Sequence, residues 1–191
     1  TYTRGGPNAN RLLGWADTDW AACTATSQST SGYISTLNCG ALSWKCSQQK
    51  SLATSTSEAE FVSASRASDD IVFLQRVIEE AEYRQTAPTP LYEDNLGCSL
   101  MSENPVASYR SKHIDYHIHA LRERVSDGIV RLVDCASADM LADIFTKNLP
   151  GPAFIRHRDV MSGLKPHTSP ELPMDLTIPG PRNTPPRAPD A

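Results

Sequence analysis

Apolar positions along the chain recur with two periods, one helical and one of strands. Positions 60, 64, 67, 71, 74, 78 and 81 read Glu, Ala, Ala, Ile, Leu, Ile, Ala. The steps alternate four and three, which puts all of them on one helical face. Ser55 and Glu58 precede this run with the spacing of a capping box, and the pattern fades near Glu82 and Tyr83, so a long helix is expected between those limits. Lys112 to Val125 is a second helix, with Ile114, Ile118, Leu121 and Val125 as its stripe and Asp127-Gly128 as its stop. Ser137 is a suitable N-cap for a last helix over Ala138 to Lys147, ended by Pro150-Gly151.

Alternation marks the strands. Arg11 to Asp17 places Leu13, Trp15 and Asp17 on one face. Tyr33 to Leu37 and Ala41 to Cys46 flank Asn38-Cys-Gly40 and predict a hairpin. Leu91 to Asp94 is a short strand behind Pro88 and Pro90, and Ile129 to Val133 is another. Asn95 to Ser102 has the composition of a short helix. Strands and helices mixed in this order imply an α/β or α+β layer in which helices cover a sheet.

With 191 residues there is room for one domain and an appendage. Residues 1–10 read as an entry segment, 11–164 as the domain, and 165–191 as a tail. The tail holds eight of the 14 prolines, has no aromatic residue and no periodicity, so it is expected to be disordered. The first residue is Thr1, which suggests a piece of a longer chain. No apolar run is long enough to span a membrane as a helix. Five cysteines without a CxxC pair fit a reducing compartment, with buried small hydrophobes as their default role. The net charge of −4 offers no global electrostatic case for nucleic-acid binding.

One residue of the helical stripe does not belong in a core. Glu60 sits on the buried face near the helix N-terminus, where a lone carboxylate costs several kcal/mol, roughly, unless it is paired or holds a metal; a frayed first turn that lets it reach water is the alternative. Asp17 and Asp94 end strands and Asp143 lies in the last helix. Strand ends at one sheet edge can converge, and two divalent cations relieve the repulsion of gathered carboxylates. Spacing alone selects this set weakly. His113, His117 and His119 lack a matching carboxylate and read as a solvated helix face, with Lys112 and His113 as possible phosphate contacts. Trp15, Trp20 and Trp44 are expected in core or hairpin packing.

Asp17-Thr-Asp-Trp-Ala, Ser31-Gly-Tyr, Ala41-Leu-Ser-Trp-Lys, Ser55-Thr-Ser-Glu-Ala-Glu-Phe, Tyr92-Glu-Asp-Asn, Lys112-His-Ile-Asp and Leu141-Ala-Asp-Ile-Phe-Thr-Lys follow one another in this order. Over about residues 11–164 the series resembles the RNase H domain of copia-type LTR-retrotransposon Pol polyproteins. The resemblance implies a ribonuclease H-like fold, a five-stranded mixed sheet with helices on both faces. It implies Asp17, Glu60, Asp94 and Asp143 as catalytic, metal-binding carboxylates for two Mg2+ ions, which Mn2+ can replace, and no small-molecule cofactor. Asp19 and Glu58 fall to supporting roles. The implied reaction is endonucleolytic hydrolysis of RNA in RNA–DNA hybrids during reverse transcription. The implied partner is a reverse transcriptase domain upstream in the parent polyprotein, and the implied location is the element's cytoplasmic particle, or the nucleus. The sequence departs from the family in having Ala22 to Gln28 and Cys46 to Gln49 where basic residues are usual, and Leu96, His117, Ile118 and Asn148 at other familiar positions. Lost cations weaken substrate binding more than chemistry. An inactive remnant that only binds nucleic acid or connects domains is therefore the competing reading, and a scaffold that merely keeps the fold is a third.

Overall fold

The computed structural model describes residues 10–21, 23, 25–50, 53, 55–95 and 112–165, with the backbone alone at 112–114. Five strands, β1 (Leu12–Asp19), β2 (Thr30–Leu37), β3 (Gly40–Gln48), β4 (Thr89–Glu93) and β5 (Val130–Asp134), form one sheet in the order β3-β2-β1-β4-β5. The first three strands run antiparallel, while β1, β4 and β5 are parallel. Asn38 and Cys39 carry the β2–β3 turn with φ of 52° and 63°, the left-handed pair whose twist matches a two-residue hairpin. The expected mixed sheet is present; β1, β2 and β3 run one to three residues past an expected end, β4 begins two residues early and stops at Glu93, one short of Asp94, and β5 is shifted by one.

The long helix α1 (Thr56–Glu80) is the covering element of one face. Ser55 caps it, its hydroxyl accepting from the Glu58 N–H at 3.2 Å. Ala64, Ala67, Ile71, Leu74 and Ile78 pack on Leu12, Ala16 and Leu91. Ala81 falls outside the stripe, since it is the exposed C-cap residue. Helix α2 (Lys112–Ser126) packs against α1 through Ile118 and Leu121.

On the opposite face Trp15, Ile34 and Tyr92 meet Met140, Leu141, Ala142 and Val160. Here the prediction of a helix over 138–147 fails. Ser137–Asp139 is a single 3-10 turn, and helix α3 covers only Asp143–Thr146. Met140, Leu141 and Ala142 are all fully buried. Three successive residues at about 100° spacing span some 200° of a helix, more than one buried face, so the backbone opens to bury them together. Ser137 is not an N-cap, and its hydroxyl donates to Asp94 Oδ2 at 2.9 Å. The stop at Pro150-Gly151 is instead the start of helix α4 (Gly151–Met161), with Pro150 at its N-cap, where the missing N–H costs nothing.

The expected helix over 95–102 lies outside the described residues beyond Asn95, as do the tail beyond Lys165 and most of the entry segment. No described helix is long and apolar enough to cross a membrane.

Candidate metal centre

β1 and β4 pair only at Gly14 with Leu91 and at Trp15 with Tyr92. The ladder ends with these rungs, short of the carboxyl ends of both strands, the end of an open α/β sheet where ligands bind. Asp17 lies two residues past the last rung on β1, and Asp94 follows β4 directly. The N-terminus of α1 brings Glu60 to the same end of the sheet. One carboxylate oxygen each from Asp17, Glu60 and Asp94 can be chosen so that all lie within 4.8 Å of one another. Oxygens that share one magnesium at about 2.1 Å lie at most about 4.2 Å apart, so the group is at most about half an ångström wider than one ion needs.

Asp143 approaches from the other face and is not in that group. It is joined to Asp17 by Lys147, whose Nζ donates to Asp17 Oδ1 at 3.1 Å and to Asp143 Oδ1 at 2.7 Å. Thr146 Oγ1 donates to the second Asp17 oxygen. These contacts need α3 close to the sheet, and Gly32, the β2 partner of Asp17, makes room for it. A Cβ on Gly32 would stand 2.8 Å from both Phe145 Cβ and Thr146 Cγ2.

A residue that sequence reasoning missed completes the cluster. Glu93 is 0% exposed and Glu60 3%. Strand alternation turns Glu93, like Leu91, toward α1 and beneath Glu60, and the two carboxyls lie within hydrogen-bonding reach. Glu93 Oε2 accepts the Asn95 N–H at 3.0 Å, which closes the turn that carries Asp94. Glu60 Oε2 and Glu93 Oε1 have no donor among the described residues. The missed signal was an acidic residue at an inward-facing strand position, hidden by the more familiar Asp94 beside it.

Burial, followed by the charges of Glu93, Asp17 and Asp94, pushes Glu60 far above the usual carboxylate range against the weaker pull of Lys147. Glu93 is raised mainly by burial, although its bond from Asn95 opposes the shift. Asp143 is raised to about 6, burial outweighing the hydrogen bond from Lys147. For Lys147 burial favours the neutral amine, yet the bond to Asp143 and the two carboxylate charges win and raise it. The cluster thus gathers hard oxygen donors that are costly to ionise together, with two buried oxygens that lack a donor among the described residues. Those donors fit a divalent cation such as magnesium.

Other expectations fare differently. Trp15 is buried and stacks on Tyr92 at 5.1 Å, but Trp20 and Trp44 are 46% and 57% exposed. Cys135 is buried, whereas Cys46 lies on the surface with Sγ 3.0 Å from the Phe145 carbonyl. His117 faces α1, its Nδ1 3.1 Å from Ser65 Oγ, and is only part-exposed. The side chains of Lys112 and His113 lie outside the described residues.

Comparison with known proteins identifies homologues and a shared fold. No protein-family profile matches the chain. Among solved structures it resembles LC11-RNase H1, determined in complex with an RNA/DNA hybrid, with a TM-score of 0.51 and 11% identity over 71% of this chain and 94% of that one. The fold is therefore that of the ribonuclease H class. The sequence is 35% identical over 147 residues to the retrovirus-related Pol polyproteins from transposons RE1 and RE2 of Arabidopsis thaliana. It is 32% identical over 143 residues to that from transposon TNT 1-94 of Nicotiana tabacum. The chain is a homologue of these transposon Pol polyproteins that carries an RNase H-like domain. The match covers 77% of this chain but only 10% of the RE1 polyprotein.

Proposed function

We propose that the domain cleaves the RNA strand of RNA–DNA hybrids with divalent cations, magnesium by preference, as a step of retrotransposon reverse transcription. The observation that carries this reading is the convergence of Asp17, Glu60 and Asp94 within 4.8 Å at the carboxyl ends of two parallel strands. Cations bound there would lower the pKa of an attacking water and stabilise the leaving 3′ oxygen. Asp17 borders both Glu60 and Lys147, so it is the carboxylate suited to be shared between two ions. Glu60 and Asp94 would hold one side, and Asp143 the other. Lys147 keeps Asp17 and Asp143 together without a metal, and Glu93 fixes the turn of Asp94 and the seat of Glu60. Hybrid selection would rest on backbone shape and 2′-hydroxyls and not on base identity. In a parent polyprotein the domain would work beside a reverse transcriptase, within the element's cytoplasmic particle.

The test is cleavage of end-labelled hybrid, double-stranded DNA and double-stranded RNA in magnesium, repeated in EDTA. Cleavage of the RNA in hybrid alone, abolished by EDTA, is expected. Binding without cleavage would favour an inactive remnant, and neither would leave only a conserved scaffold.

A further inference from the structure

Away from the carboxylates, α1 and the β2–β3 side of the sheet line a second feature, a half-open cavity of about 340 Å3. Its walls carry three cations, Lys45, Lys50 and Arg66, with the part-buried phenol of Tyr33 between them. The two carboxylates that also line it, Asp69 and Asp70, are already engaged. Asp70 accepts from Ser35 Oγ at 3.0 Å and from Ser43 Oγ at 2.9 Å. Asp69 is paired with Arg124 of α2. The cations are not so committed. Among the described residues Lys45, Lys50 and Arg66 form no ion pair, and Arg66 has only a long contact of 3.5 Å to Ser47 Oγ. The serine hydroxyls leave the charge of Asp70 in place, but three cations against that one carboxylate without a cationic partner leave the cavity net positive in a chain of net charge −4, which suits it to an anion.

Its position decides which anion. Arg66 lies six residues beyond Glu60 on α1, about 9 Å along the helix axis. Lys45 pairs with Tyr33, one rung from the row Asp17–Gly32–Cys46, and β3 is two strand spacings, about 10 Å, from β1. Successive phosphates of one strand advance about 3.4 Å along a duplex. A backbone that crosses the carboxylate cluster can therefore reach the cavity roughly three nucleotides later.

We propose that this cavity holds a backbone phosphate of the nucleic acid, with Lys45, Lys50 and Arg66 as its charged ligands and the Tyr33 hydroxyl as a neutral donor. The site would supply the local positive charge that the chain lacks overall. It rests on the functional reading above for the identity of the polyanion as a hybrid.

The test is fluorescence anisotropy of a labelled hybrid in EDTA, where metal-dependent cleavage cannot intervene, across a series of salt concentrations. The variant Lys45→Ala/Lys50→Ala/Arg66→Ala is compared with Arg76→Ala/Arg84→Ala/Arg156→Ala, which removes the same charge from exposed positions elsewhere. The cavity variant should bind at least tenfold more weakly at low salt and lose about 0.9 from the log–log salt slope per phosphate contact removed. The control should keep the wild-type slope. Equal losses in both variants would mean that net charge alone acts and would overturn the site, as would failure of the wild type to bind at low salt. Should the triple variant not fold, Lys45→Gln and Lys50→Gln, both at exposed positions, must each lower the slope; unchanged slopes overturn the site equally. The two readings fail separately. Lost hydrolysis with a persisting slope difference removes the nuclease and keeps the cavity, and intact hydrolysis with equal slopes does the reverse.

Discussion

At the scale of single residues, the cluster trades stability for a site. Glu60 is buried beside Glu93, Asp17 and Asp94, and its carboxyl is forced toward the neutral form. Glu60→Gln is nearly isosteric and is neutral without having to take up a proton, so without metal it should leave the melting temperature unchanged or raise it by a few degrees, about 1 kcal/mol. A clear fall would show that Glu60 is a structural anchor instead. Glu93 holds the Asn95 N–H, and Glu93→Gln keeps an acceptor there, whereas Glu93→Leu does not. Hydrogen exchange at the Asn95 amide should accelerate in the leucine variant alone, and equal protection in both would remove Glu93 from the turn. Glu60 was legible in the sequence because a carboxylate interrupts a regular apolar stripe. Glu93 was not, because its inward direction depends on strand phase and a five-residue strand entered through Pro90 gives little phase to read.

At the scale of elements, α3 is the sensitive part. Four residues make a helix too short to stand by itself, and it is placed by Gly32 beneath it and by the bonds of Thr146 and Lys147 to Asp17. Gly32→Ala introduces a methyl 2.8 Å from Phe145 Cβ and 3.3 Å from the Ala142 carbonyl, so the backbone of α3 must move. A loss of about 1–3 kcal/mol in stability is expected, with weaker Mn2+ binding measured by calorimetry. Wild-type values in both would mean that α3 adapts freely and does not set the site. α1, the hairpin and the strands could be read from capping, period and turn residues. The region after Ser137 could not, since consecutive buried residues look the same to a periodicity whether they continue a helix or break it. The Pro150-Gly151 pair likewise reads equally well as a stop or as a start.

At the scale of the whole molecule, charge couples the site to pH. In the metal-free protein Asp143 is raised from 3.8 to about 6, and Glu93 and Glu60 are raised further. The folded state therefore holds more protons than the unfolded chain above about pH 4, and stability must fall as pH rises from there through 8. Melting temperatures should decline over that range without metal, and magnesium should flatten the decline because it replaces the protons. A flat metal-free profile would mean that the carboxylates are less buried than the structure has them. A sheet covered by helices was legible from the order of elements, but helices on both faces and the meeting of Asp17, Glu60 and Asp94 were only implied by family resemblance, because convergence across β1, α1 and β4 is a property of topology that spacing does not encode. The most direct test of that convergence as a hydrolytic centre is single-turnover cleavage of hybrid RNA in magnesium by wild type, Glu60→Gln and Glu58→Gln. At least a hundredfold loss is expected for Glu60→Gln, on the order of 3 kcal/mol of transition-state stabilisation, and near wild-type rates for Glu58→Gln. A dead Glu58→Gln beside an active Glu60→Gln would contradict the role of Glu60 in that centre.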